Sequence, residues 1–546
     1  MQTEAPPLTP RQHSIPTAID LILSALIREF HKPLSTQWLA VFGLLLLCCC
    51  VTRAWVGFDG MNAYSHDLFV FLDGGWRVLH GQIPYNDFFT DVGTFIHLET
   101  AFGLWLARGQ ARGLAYAQAL FGIAFTIWAY VLARTRFMPR PALLFTWTVV
   151  LLAITPSVVG DSLLQLTAAC FYNRYGYALC ALVLIEAFKE GQSETRFSSY
   201  AGGFSSGALT ALLLFIKVTF FIGSVGLLVA LIPCRKQTRF RCTGLACGFL
   251  CVLVPMWLYM RSDLRPMLRN LQFLAGAKHL SILPMTLPHA TSATCEMLIL
   301  GFLACAVLWE GGAWAKARRL ITLVGVVLSI AAFFLLTNFQ RGRLPLLAVL
   351  GLLIAQEIES HFRNTPSLQL VPRTAILALS CLFVAGSITL DAIPLVCGAA
   401  FHSLRFKTNR LLFNSPELAG IRDVDAPYVA FVNDGIALLQ RNHGSGETVV
   451  SLDFSNPFPY SLGIPPPKGG TPVGIQYRTN FDDAHQLPPA WLFGSADLVM
   501  LPVTFTDGTL QESVPRIYGP YLRAHFHAVD RSENWLLYRK DAIPKP

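Results

Sequence analysis

Charge is the scarcest commodity in this sequence. Charged side chains make up 14% of its 546 residues, where a soluble domain usually carries about 25%, so water is not the chain's only solvent. Thirteen cysteines are present, but none falls between 53 and 93 and none follows Cys397. No CxxC pair and no His/Cys zinc spacing occurs, which leaves the cysteines as small apolar side chains. Walker, GxGxxG and GxSxG stretches are also missing, which removes the usual nucleotide-binding and serine-hydrolase loops. The net charge of +9 does not come with the basic and aromatic pattern of a nucleic-acid surface. Anionic lipid head groups suit it better, so membrane lipids are expected partners and nucleic acid is not.

Apolar residues are what the chain has in plenty, at 53%. Runs such as "LAVFGLLLLCCCVTRAWVG" (39–57), "ALTALLLFIKVTFFIGSVGLLVALI" (208–232) and "AILALSCLFVAGSITLDAIPLV" (375–396) lie near the ~20 residues that cross a bilayer core. The expected fold is mainly α, a polytopic transmembrane helical bundle with a small C-terminal α/β extramembrane domain. About eleven spans are read: 38–53, 94–107, 114–133, 141–159, 164–188, 206–232, 243–260, 293–310, 320–337, 344–358 and 374–397. Residues 1–37 form a cytoplasmic tail with a surface-lying helix over 17–34, and no cleavable signal peptide is seen. With the N-terminus inside, "PCRKQTRFRC" and "EGGAWAKARRL" fall inside, as the positive-inside rule prefers. Arg108 and Arg112 fall inside too, whereas "ARTRFMPRP" (133–141) lands outside, against the rule. The chain is thus read as a multi-pass protein of the cell membrane, with its transmembrane module over 38–400 and a loop at 53–93 outside. Beyond about residue 400 turn residues multiply, and 401–546 reads as the outer α/β domain. Its strands are expected over 447–454, 496–503 and 534–540, with a helix over 427–444.

Against this poverty of charge, "HDLFVFLDGGWRVLHGQIPYNDFFTDVG" (66–93) gathers Asp67, Asp73, Asp87 and Asp91 beside Arg77, His66 and His80. Leu68, Leu72, Trp76 and Leu79 recur at helical spacing and Gly81 stops them, which predicts an amphipathic helix lying flat at the interface. Asp67 at its start serves either as an N-cap or as a functional carboxylate. Asp59 and Asp73 read as solvated surface groups. Lys217 interrupts an apolar run; it either snorkels or meets an anion.

These residues resemble the first outer loop of the GT-C glycosyltransferases, which include protein O-mannosyltransferases and aminoarabinose transferases. The pattern there is an acidic residue soon after the first span, an amphipathic helix, and then a Gly…Pro-Tyr-x-Asp-Phe stretch. Asp67 takes the acidic place, and Gly81, Pro84, Tyr85, Asp87 and Phe88 match the rest. "LLLFIKVTFFIG" (212–223) and "FYNRYGYAL" (171–179) are similar to recurring segments of the same group. Leu68 stands where Glu is usual and Thr94 where Pro is common. The strong part of the likeness covers about forty residues, backed by the layout of many spans and a soluble domain.

The resemblance implies an inverting glycosyltransferase that moves a sugar from a polyprenyl-phosphate donor to a glycan, lipid or protein acceptor at the outer face. It implies Asp67 as the base, and Asp87 as a second carboxylate that either orients the acceptor or holds the loop. Lys217, Arg341, Arg343 and Arg174 become candidates for the donor phosphate, with snorkelling for Lys217, a structural role for Arg174 and ordinary loop duty for Arg341 and Arg343 as the alternatives. Gly81, Pro84, Tyr85 and Asn173 become candidates for shaping the loop. The 261–292 loop, with Arg265, Arg269, Lys278, His279 and His289, is long enough for a lid. No cofactor and no metal site is expected; a divalent metal stays open, but Leu68 in the place of the usual Glu counts against a metal-assisted variant. A transporter or flippase of lipid-linked sugars is the rival reading, and a non-catalytic binder of them a third. A transporter would show internal repeats and helices broken at mid-membrane; no repeat is found.

Overall fold

The computed structural model describes residues 25, 32–188, 195–234, 237–277, 283–338, 340–362, 370–404, 412–419, 421–422, 425–472 and 481–542. Nearly all of the expected surface helix at 17–34 lies outside these residues, as do Lys278 and His279 and the side chain of His289.

Helix α1 (Thr36–Val56) leads to two shorter helices, α2 (Asp67–Leu79) and α3 (Thr94–Leu106). The bundle continues through α4 (Gly113–Arg134), α5 (Pro139–Ile154), α6 (Phe171–Phe188), α7 (Arg196–Ile216) and α8 (Val218–Leu231). It is completed by α9 (Thr238–Tyr259), α10 (Arg265–Ala277), α11 (Leu283–Glu310), α12 (Trp314–Thr337), α13 (Leu346–Phe362) and α14 (Leu370–Leu404). Seven of the described helices (α1, α4, α7, α9, α11, α12 and α14) are long and apolar enough to cross a membrane by length and composition. Helices α5 and α8 are shorter and apolar, while α6 and α13 are sheathed by the others along most of their length. This is a multi-pass membrane protein.

The contacts at helix ends define two faces. On one, Gly311 packs on His361, Glu186 at the end of α6 meets Arg136 and Arg241, and Glu359 meets Arg373. On the other, loops between helices bond to the C-terminal domain: Gly60 N–H donates to the Arg422 carbonyl at 2.7 Å and Ala111 N–H to that of Glu417 at 2.9 Å. We call the latter the domain face.

Eleven described helices run from one face to the other, but they are not the eleven read from the sequence. The expected span 94–107 is not one. Helix α3 starts beside Phe89, whose N–H donates to the Gly470 carbonyl, and ends where the Tyr460 hydroxyl donates to the Gly109 carbonyl. Both ends therefore lie on the domain face, and the helix is apolar because it packs on α2. The expected span 206–232 is two helices. Residue Lys217 adopts extended backbone (φ −166°, ψ 127°) and turns the chain from α7 into α8. Helix α7 rises from the Glu186–Arg241 end and finishes at Ile216, whose carbonyl accepts from Gly93 N–H at 3.0 Å. Helix α8 then descends alongside α6. One span lost and one gained reverse the placement of everything between them. "ARTRFMPRP" moves to the face opposite the domain, where it joins the ends of α9 and α12 that carry Arg239, Arg241, Lys316, Arg318 and Arg319 and were expected there. Arg108 and Arg112 move to the domain face.

Helices α7 and α9 run parallel and nearly touch. A Cβ added at Gly203, Gly207, Gly244 or Gly248 would collide with the backbone of the partner helix, the small-residue packing by which membrane helices approach closely. The C-terminal domain carries a four-stranded sheet in the order β1 (Val449–Ser451), β2 (Leu498–Pro502), β4 (Trp535–Lys540), β3 (Phe526–Arg531). Strands β1 and β2 are parallel, and the other pairs are antiparallel. Each expected strand contains one of these, and the expected helix is α15 (Ala426–Asn442). Strand β3 was not expected: it is a polar edge strand, exposed along most of its length.

A candidate active site on the domain face

The loop between α1 and α4 is clamped to the C-terminal domain. Asp73 and Arg77, one turn apart on α2 and fully buried, pair at 2.9 Å. Arg77 also donates to the carbonyls of Pro467 and Gly469, both at 2.8 Å, and Trp76 donates to that of Ile464 at 2.9 Å. The reading of Asp73 as a solvated surface group is thus corrected, and so is that of Asp59, which is buried and bonded to His402 at 2.9 Å.

Asp67 is not an N-cap. The cap position is His66, with no capping side chain, and Asp67 opens the helix one residue later. Among the described residues its carboxylate accepts no hydrogen bond; the nearest polar partner is His66 Nε2, 3.9 Å away. The side chain keeps 19% of its surface open. Desolvation pushes its pKa up to about 7, and the nearby charge of Asp91 adds to the rise. A carboxyl held near neutrality can take up a proton and give it back.

Lys217 and Cys170 lie in the same region of the domain face. The Lys217 ammonium, brought to the domain face by the α7–α8 turn, donates to Asn173 Oδ1 at 3.1 Å and lies 4.8 Å from the Tyr172 ring centre. The Cys170 thiol, pushed up to about 12 mainly by burial, also feels Asp67, Lys217 and Asp91. The same surroundings hold Tyr64, Tyr85 and Cys170 at φ +53°, +68° and +53°. Left-handed backbone is costly for such residues and tends to gather at functional sites.

Asp87 is occupied with the loop itself. Its Oδ2 accepts from Ile83 N–H and from the Arg261 guanidinium, both at 2.9 Å, and its carbonyl accepts from Gly469 N–H at 2.8 Å. Pro84 bridges to Phe88, and the hydroxyl of buried Tyr85 donates to the Val92 carbonyl at 3.3 Å. Gly81 sits at φ +78° with open space where a Cβ would point, so its need is conformational.

The arginines divide. Arg174 and Arg343 both bind the buried carboxylate of Asp391, at 2.9 Å and 2.7 Å. Arg341 is different: its guanidinium donates at 2.9 Å to the Tyr64 hydroxyl, and the Tyr64 ring stands edge-on to His66. Arg341 and Arg343 also edge a cavity of about 750 Å³ lined chiefly by Leu300, Leu347, Leu382, Phe383 and other apolar side chains of α11, α13 and α14.

Sequence reasoning passed over Asp91 as a site residue because the likeness weighed Asp87, four residues earlier. It also passed over Asp391, although an aspartate within an apolar run is itself a signal. No family model matches this chain, and no curated protein matches it. Among solved structures, ArnT from Cupriavidus metallidurans in the apo state is similar at a TM-score of 0.42 and 13% identity, covering 92% of this chain and 98% of that one. ArnT bound to undecaprenyl phosphate gives a TM-score of 0.41 with the same identity and coverage. Superposition at that level bears no part of the reading below.

Proposed function

We propose that the protein is an inverting glycosyltransferase of GT-C type that uses a polyprenyl-phosphate sugar at the domain face. The observation that carries the reading is a near-neutral carboxylate, Asp67, and a lysine delivered by a break between two spans, both close enough to act on the Cys170 thiol. In the proposed reaction Asp67 takes the proton of an acceptor hydroxyl as its oxygen bonds to the anomeric carbon. The bond from that carbon to the phosphate oxygen breaks, and the electron pair leaves with the polyprenyl phosphate. Lys217 and Arg341 stabilise the departing phosphate, and the apolar cavity beside Arg341 takes part of the lipid tail. Burial, with the added charge of Asp91, holds Asp67 near neutrality, and Asp87 holds the loop. Arg174 and Arg343 brace the cavity wall through Asp391.

The domain face is taken as the outer one, because the opposite face collects "ARTRFMPRP" and the basic ends of α9 and α12. A transporter would break its helices at mid-membrane, whereas Lys217 breaks its run at the end of the bundle, which favours the enzyme. The deciding experiment follows consumption of a radiolabelled polyprenyl-phosphate sugar pool in membranes carrying wild type or Asp67→Asn at matched expression. Transfer by wild type alone, with donor binding kept in the variant, supports the reading. Equal transfer by both removes Asp67 as base, and no donor consumption by wild type removes the enzyme.

A further inference from the structure

His66 is a residue the reaction above does not use, and its placement asks for a reason. It occupies the cap position of α2 without capping anything, so helix formation does not require it. Its ring is boxed by aromatic groups from both parts of the molecule. The Phe454 ring stands 4.3 Å away at 69°, that of Tyr428 6.1 Å away at 72°, and that of Tyr64 6.4 Å away at 86°. Phe454 and Tyr428 belong to the C-terminal domain, and so does Asp507, whose charge reaches the imidazole. Phenylalanine would fill this box equally well. What imidazole adds is a nitrogen, Nε2, facing Asp67 Oδ1 at 3.9 Å, one adjustment from a hydrogen bond; catalytic contacts often tighten only when substrate is bound.

We propose that His66 is a positioning residue for Asp67, held in place by the C-terminal domain, which directs one carboxylate oxygen so that the other meets the acceptor hydroxyl. The titratable and charged groups around the ring are Asp67 on its own helix, Tyr64 before it, and Tyr428 and Asp507 across the domain boundary. Burial is the main influence on the imidazole and takes its pKa down to about 4, so near neutrality the ring is uncharged and Asp67 is the more basic of the two. A neutral N–H then donates to the carboxylate without competing for the proton. On this account the C-terminal domain is part of the active site, because it sets the ring that sets the base.

The inference rests on Asp67 being the base. Its test compares His66→Phe, which keeps the box filled, with His66→Gln, whose amide nitrogen can reach where Nε2 lies, on the full-length protein in membranes. Removing a donor to a carboxylate disfavours its charged form. For His66→Phe the acid limb of the pH–rate profile should therefore move to higher pH, with kcat down by up to ~10²-fold and donor KM unchanged. His66→Gln should recover most of both, and Phe454→Leu should show a smaller shift in the same direction. A wild-type profile for His66→Phe, or a lower rate with the limb unmoved, overturns the proposal. If Asp67→Asn is inactive while His66→Phe behaves as wild type, the positioning role alone fails. If Asp67→Asn stays active, the base reading fails with it.

Discussion

The two faces of the bundle use charge in opposite ways. On the face away from the C-terminal domain, Glu186 is fully buried and meets both Arg136 and Arg241, and Glu359 meets Arg373 at 2.5 Å. There each carboxylate is matched by guanidinium groups and no chemistry is left to do. On the domain face Asp67 has a histidine at 3.9 Å and a second carboxylate nearby, and Lys217 is held by an amide oxygen and a ring face. Matched buried charge locks helices together; a carboxylate such as Asp67 that accepts no hydrogen bond among the described residues, costly in the same apolar setting, is tolerated where a reaction needs it. The domain face contains both kinds, since Asp73–Arg77 and Asp391 with its two arginines are locks as well.

The comparison breaks or sharpens under mutation. The largest effect belongs to Asp67→Asn: transfer should fall by ~10²–10⁴-fold, the usual worth of a positioned base, measured as sugar transferred per folded molecule. Glu186→Gln should do the reverse. Leaving two buried guanidinium groups without their carboxylate should cost about 3–5 kcal/mol of stability, visible in detergent melting, while the activity of the folded fraction persists. Equal loss of activity in both variants would erase the distinction between the faces. Lys217→Met should lower kcat by ~10–10²-fold, as expected for losing one charged contact to a departing phosphate.

A smaller effect separates stability from activity through pH. The pKa of Asp67 in the folded protein, about 7, lies above its ordinary value of 3.8. The stability this group lends is therefore complete below 3.8 and is lost as pH rises through about 7. Asp67→Asn should melt a few degrees higher than wild type at pH 8 and match it near pH 4, although it is the inactive variant. Activity should run the other way, rising with pH through a midpoint near 7. The smallest expected effect is that of chelation: EDTA should leave the rate unchanged, since Lys217 and Arg341 supply the positive charge.

Hydropathy made the bundle legible and its threading much less so. Helix Thr94–Leu106 was read as a span because one side packs on protein while Phe102, Trp105 and Leu106 stand exposed on the other, which leaves it as apolar as a crossing helix. The 206–232 run was read as one span because no proline or cluster of turn residues marks its turn; the turn sits at Lys217, in extended backbone open to any residue. In the candidate site, the resemblance reached Asp67, the Gly81–Phe88 turn and Lys217. It could not reach Asp91, which neighbours Asp67 only once the loop is folded. Nor could it tell the arginines that bind Asp391 from Arg341, because ion pairs across 217 and 48 residues leave no local mark.

The turn at Lys217 also bears on how the chain is made. An apolar run of this length meets the insertion machinery as a candidate for a single crossing, yet it must enter as a hairpin with both ends on one side. Arg196 before it and Arg239 after it hold those ends back, and the charge of Lys217 marks the tip. With leucine there, nothing in the run would oppose one continuous crossing, and every later segment, the C-terminal domain included, would be delivered to the wrong compartment. One side chain thus serves biogenesis before it could serve the proposed reaction.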